Sequence, residues 1–166
     1  MIEETERKKL IYRRQYLIAP YAIDCPFLYH SYELNWGGIL YAHVDLPVTS
    51  AKTDEKLVIL LGDIFDYANT DQSNTEILRK LAATNFRDIL NETSKYTGRY
   101  VIIYQDPDLY TIFTDDTATR KVYFCHRKED FWCASQPHLI ARILGLQRTK
   151  DPSRNEFYHS SDFARL

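Results

Sequence analysis

Glycine is scarce in this chain: 5 of 166 residues. That leaves little room for a phosphate-cradling loop, and neither G-x-x-x-x-G-K-[ST] nor G-x-G-x-x-G occurs. Charge of one sign is also lacking. Lys plus Arg number 21 against 23 Asp plus Glu, a net charge of −2, so no overall field draws nucleic acid or an acidic membrane. No apolar run approaches the length of a transmembrane helix. The first fourteen residues mix both charges and lack the apolar stretch of a secretory signal. Cysteine is limited to Cys25, Cys125 and Cys133, an odd number without C-x-x-C. Reduced, mostly buried thiols in a cytoplasmic protein are the expectation.

The chemistry-bearing motifs are missing as well. His30, His43, His126, His138 and His159 are scattered, with no H-E-x-x-H and no paired Cys/His spacing, so no metal is expected. Asp115-Asp116 reads as a turn and cap feature rather than a cation site. Ser31, Ser135 and Ser160 lack a G-x-S-x-G context. Aromatics interleaved with Arg between Tyr96 and Phe113 read as core packing, since no basic groove accompanies them.

What is present is an apolar content of 45%, ordinary for a globular domain, and 13 Tyr. Residues 15–19 and 38–44 suggest strands. Residues 56–61 (KLVILL) form a continuously apolar, β-branched run that predicts a strand buried on both faces and ending at Gly62-Asp63. Ser73 precedes Glu76 at capping-box spacing, which predicts a helix start. Ile77, Leu78, Leu81 and Ala82, then Phe86, Ile89 and Leu90, recur at helical spacing, with Asn85 as a dividing point and Thr97-Gly98 as the end. Residues 99–105 (RYVIIYQ) and 109–114 (LYTIFT) predict a hairpin across Asp106-Pro107-Asp108. Residues 121–125 and 131–134 predict a second one. A last helix is expected from Ser135 as N-cap, with Pro137 in its first turn and Gly145 at its end. Antiparallel strands apolar on both faces need cover on both faces. The expected architecture is therefore α+β: two stacked antiparallel sheets flanked by helices, with residues 57–61 and 101–104 in central strands.

Several of these segments resemble a known family. Residues 57–65 (LVILLGDIF), 73–78 (SNTEIL), 98–104 (GRYVIIY), 113–115 with 121–124 (KVYF), and 134–146 (ASQPHLIARILGL) follow the order and spacing of the N-terminal half of asparagine synthetases. That half is a class II glutamine amidotransferase domain. The resemblance, over residues 40–146, implies a four-layer αββα sandwich of the N-terminal-nucleophile hydrolase kind. It divides the chain into a degenerate amidotransferase-like domain, 1–146, and a polar segment, 147–166, leading towards a synthetase-like domain.

The family's glutaminase machinery does not carry over. The nucleophile is an N-terminal Cys with its α-amino group as base, and here Met1-Ile2 stands in that place. The family's substrate-carboxylate Arg falls where this chain has Val44 and Asp45, and an Asp repels a carboxylate. The oxyanion-hole Asn-Gly pair becomes Leu61-Gly62. The Gly backbone N–H is retained and the side-chain donor is lost, a change that costs about a hundredfold or more in rate. The Asp that binds the glutamine amino group becomes Asn74. The resemblance thus implies a pseudo-glutaminase without catalytic residues or cofactor. Its expected role is a scaffold or interaction domain for an ATP-dependent amide-forming domain, the S-G-G-x-D-S loop of which does not occur here. A truncated synthetase-like protein is the favoured origin. Two alternatives are a working amidotransferase processed to Cys25, which is followed by Pro26 where the family has Gly, and a small-ligand domain using the emptied pocket. Phe157, Tyr158 and Phe163 in the tail are the expected contacts to the partner domain.

Overall fold

The computed structural model describes residues 4–147 and Glu156. Among them the order is α1 (Glu4–Leu10), β1 (Tyr16–Ala19), β2 (Tyr29–Glu33), β3 (Ile39–His43), β4 (Val48–Lys52), β5 (Leu57–Asp66), α2 (Asn74–Ala83), α3 (Phe86–Thr93), β6 (Tyr96–Gln105), β7 (Tyr110–Thr114), β8 (Tyr123–Arg127), β9 (Asp130–Ala134) and α4 (Pro137–Ile143). The strands form two antiparallel sheets. One runs β2-β3-β1-β9-β8 and the other β4-β5-β6-β7. The class is α+β.

Alternation along the strands sets the layers. Val58, Leu60, Ile102 and Tyr104 face one way and pack on Ile77, Leu78, Leu81 and Ile89 of α2 and α3. Ile59, Leu61, Val101 and Ile103 face the other way and meet Tyr16, Ile18, Leu40, Ala42 and Cys133 of the second sheet. Leu17, Ala19, Tyr41, Trp132 and Ala134 turn outward from that sheet onto Leu139 and Ile140 of α4. Every residue from Val58 to Leu61 is essentially inaccessible because each face has its own cover. The expectation for residues 57–61 and 101–104 holds: β5 and β6 are the two inner strands of their sheet.

Local chemistry accounts for the helix boundaries. Ser73 accepts from the Glu76 N–H while Glu76 accepts from the Ser73 N–H, a complete capping box. Asn85 divides α2 from α3 as N-cap, without a side-chain cap bond.

The structure corrects the sequence reading at several boundaries. β5 does not stop at Gly62-Asp63; it pairs with β6 as far as Asp66 opposite Tyr96. Gly62 at φ 111° and Gly98 at φ 145° let the two backbones come close without breaking the ladder. Thr97-Gly98 therefore lies inside β6 and not at a helix end. The N-cap of α4 is Gln136 rather than Ser135. The Ser135 hydroxyl instead accepts from the Tyr16 N–H at 3.0 Å and donates to the Tyr16 carbonyl, tying α4 to β1. Phe157, Tyr158 and Phe163 lie outside the described residues.

Candidate functional site

The four positions that the resemblance singles out, Asp45, Leu61, Gly62 and Asn74, can be followed one by one. Asp45 sits in the turn after β3. Its Oδ2 accepts from Nε and Nη2 of Arg13, both at 2.8 Å. Its backbone N–H donates to Nδ1 of the fully buried His43 at 3.0 Å. The other ring nitrogen of His43, Nε2, lies 3.0 Å from the Lys9 carbonyl. A carbonyl only accepts, so Nε2 is the donor in that contact and Nδ1 the acceptor in the other. Both ring nitrogens are used in holding α1 and the β3–β4 turn.

Leu61 is wholly buried in the core between the sheets. It offers no polar atom to a ligand and is continuous with Val48 and Val101, its partners in the ladders. Gly62 follows it. The expected oxyanion donor, the Gly62 N–H, is not available, because it donates to the Pro47 carbonyl at 2.9 Å. A donor already paired within the backbone is not aimed at a reacting oxygen. Asn74 opens α2, and its Oδ1 accepts from the Ile64 N–H at 3.2 Å, fastening the helix to β5.

Asp45 and Gly62 are joined through groups that no motif marked, and Leu61 precedes Gly62 in β5. Arg14 donates from Nε to the Asp45 carbonyl at 3.3 Å. Arg120 donates from Nη1 to the Arg14 carbonyl at 2.9 Å. The Arg120 guanidinium in turn lies against Gly62, where a Cβ would stand 3.2 Å from Nε. Asn74 is linked only through its bond to Ile64, two residues further along β5. The signal for Arg120 in the sequence is faint: a buried cation in a loop, 106 residues from its bonding partner.

Cys25 lies in the β1–β2 loop and lines a cavity of about 610 Å³ with α1 residues and Arg142 and Ile143 of α4. It is 1% exposed, and burial raises its thiol to about 12, which leaves no nucleophilic thiolate near neutrality. Asp115 is a cap, as its turn context suggests. It accepts from the Thr119 N–H and hydroxyl, the Thr117 hydroxyl and the Tyr100 N–H. Among the described residues no group of three His, Cys, Asp or Glu side chains could hold a metal. No helix there is long and apolar enough to cross a membrane.

No protein-family model and no curated protein matches the chain.

Proposed function

We propose that the chain is a degenerate amidotransferase-like domain of the N-terminal-nucleophile hydrolase kind, without glutaminase chemistry. It acts as scaffold or interaction domain for an ATP-dependent amide-forming domain. One observation carries the non-catalytic half of this reading. The polar groups at the glutamine-pocket positions are committed to the chain's own structure: Gly62 to Pro47, Asn74 to Ile64, Asp45 to Arg13. A working pocket keeps such groups free and aimed at substrate. The helix–sheet–sheet–helix layering agrees with the proposed fold. The scaffold half rests on the resemblance of residues 40–146 to domains that precede a synthetase.

β1 counts against activation by processing to Cys25. Cleavage there removes residues 16–19, the middle strand of its sheet, whose side chains are buried in two of the three cores. Removing them exposes both cores.

The test is nitrogen-donor use. The product of the source gene, expressed together with any synthetase-type domain encoded beside it, is assayed for amide formation with glutamine or with ammonium. Intact mass is measured on the same sample. Amide formation from ammonium alone, with residues 1–24 retained, is the expected result. Ammonia release from glutamine, or a mass lacking the first 24 residues, overturns the reading.

A further inference from the structure

A cavity of about 410 Å³ opens where the 115–121 loop, β6 and the start of α4 meet, on the side of Arg120 that adjoins Gly62. Its charged lining is of one sign: Arg99, Arg120 and Lys121, with His138 at the rim. Net acidity of the chain makes this concentration of cations conspicuous. Among the described residues none of the three long cations forms an ion pair. Asp63 stands opposite Arg99 in the β5–β6 ladder and does not pair with it.

Arg120 is the telling member. It is 7% exposed, yet its Nε has no hydrogen-bond partner, and Nη1 reaches only the Arg14 carbonyl. A buried guanidinium without a carboxylate is expensive to keep. Burial, and then the positive charge of Arg99, lower its pKa from the ordinary value, while Tyr16 and Asp63 act the other way. The loop that carries it is nonetheless held firmly, by the bonds of Thr117 and Thr119 to Asp115. The cation is thus fixed in place without an ion pair, Asp63 acting on it only from beyond contact. Hydroxyls nearby do not supply a partner, since Ser135 and Thr119 are engaged with Tyr16 and Asp115.

We infer that this cavity is a binding site for a phosphorylated small molecule, with Arg99 and Lys121 at its mouth and Arg120 at its base. A tetrahedral dianion accepts hydrogen bonds from several directions at once, which suits donors converging from a strand and a loop. The volume exceeds that of phosphate itself and leaves space for the organic part of a phosphate monoester. A planar carboxylate is satisfied by one guanidinium fork and leaves the remaining cations unpaired.

Binding of glycerol 2-phosphate to the full chain, by calorimetry at fixed ionic strength, tests this. Saturable one-to-one binding is expected. Arg99→Gln and Lys121→Gln change exposed side chains and leave the core untouched. Each should weaken binding roughly tenfold or more, the usual effect of removing one charged hydrogen-bond donor. Arg79→Gln and Arg87→Gln, on α2 and α3, should leave it unchanged. No saturable binding by folded wild-type protein overturns the inference. So does equal weakening by the helix variants, which means only diffuse charge attraction, or tighter binding of succinate than of the phosphate, which makes the site a carboxylate site.

Discussion

The guanidinium of Arg120 rests on the bare backbone of Gly62. A Cβ at that glycine would stand 3.2 Å from Nε and 3.3 Å from Nη2, and only 2.2 Å from the Arg99 carbonyl oxygen. Glycine is thus required here by crowding on two sides as well as by a φ of 111°. Gly62→Ala should lose roughly 1–3 kcal/mol from backbone strain alone, with the steric clash added. A fall in Tm of roughly 2–12 °C follows at this chain length. Gly145→Ala is the comparison, since Gly145 also has positive φ, 62°, but nothing within 4 Å of a new Cβ. Equal Tm losses for the two variants would mean that crowding at Gly62 contributes nothing.

Asp115 makes the loop that carries Arg120 sensitive to acid. Burial alone would raise its carboxyl pKa; the Thr119 N–H and hydroxyl, Thr117 and the Tyr100 N–H outweigh burial and hold it at about 2. The folded value lies below the unfolded one, near 3.9, so this stabilisation is complete above about pH 4 and is lost as pH falls through about 2. The shift corresponds to about 2–3 kcal/mol. Asp115→Asn should therefore destabilise the protein at pH 7 and flatten the acid limb of its stability curve. Denaturant unfolding from pH 2 to 7 measures both. An unchanged acid limb in the variant would rule out Asp115 as its source.

The inner strands are legible in the sequence because both their faces are covered, which forces unbroken apolar runs at residues 57–61 and 101–104. Strands β2 (YHSYE) and β4 (VTSAK) are not. Each is a sheet edge, with polar and exposed positions and no periodic signal to read. The capping box at Ser73 is local and so is legible; Ser135 does not cap α4 because its hydroxyl bonds 119 residues away to Tyr16, which no local pattern reveals. The same holds at the site. That Leu61 offers no polar side-chain atom is visible in the residue type. That the Gly62 N–H is already paired is not, since it depends on where Pro47, just before an illegible edge strand, places its carbonyl.

The thiols offer a check on the packing of the two sheets. Cys25 and Cys133 are buried, and burial raises both to about 12. Cys125, on edge strand β8, is partly exposed. At pH 8 a thiol of pKa about 12 is ionised in roughly one molecule in ten thousand. Reaction with Ellman's reagent should release one equivalent quickly and the other two only on unfolding in denaturant. Fast release of all three from native protein would contradict the burial of Cys133 between the sheets.

Installing the residues that the proposed amidotransferase-like reading expects at Leu61 and Asn74 should separate fold from chemistry. Asn74→Asp keeps an Oδ1 acceptor for the Ile64 N–H and adds negative charge to the first turn of α2. Its effect on stability should be neutral to favourable, within about 1 kcal/mol. Leu61→Asn places an amide in the core between Val48 and Val101, at a position that is 0% exposed. It should cost roughly 3 kcal/mol or more, from lost apolar burial and an unpaired polar group. Neither variant, nor the two together, should hydrolyse glutamine. The Gly62 N–H stays bonded to Pro47, Asp45 still opposes a substrate carboxylate, and Cys25 is neither terminal nor ionised. Catalytic groups act as a unit, so partial restoration is silent. Ammonia release from glutamine, measured beside thermal unfolding of each variant, decides the matter. Activity above the no-enzyme rate in a folded Asn74→Asp protein would mean that the pocket retains a nucleophile.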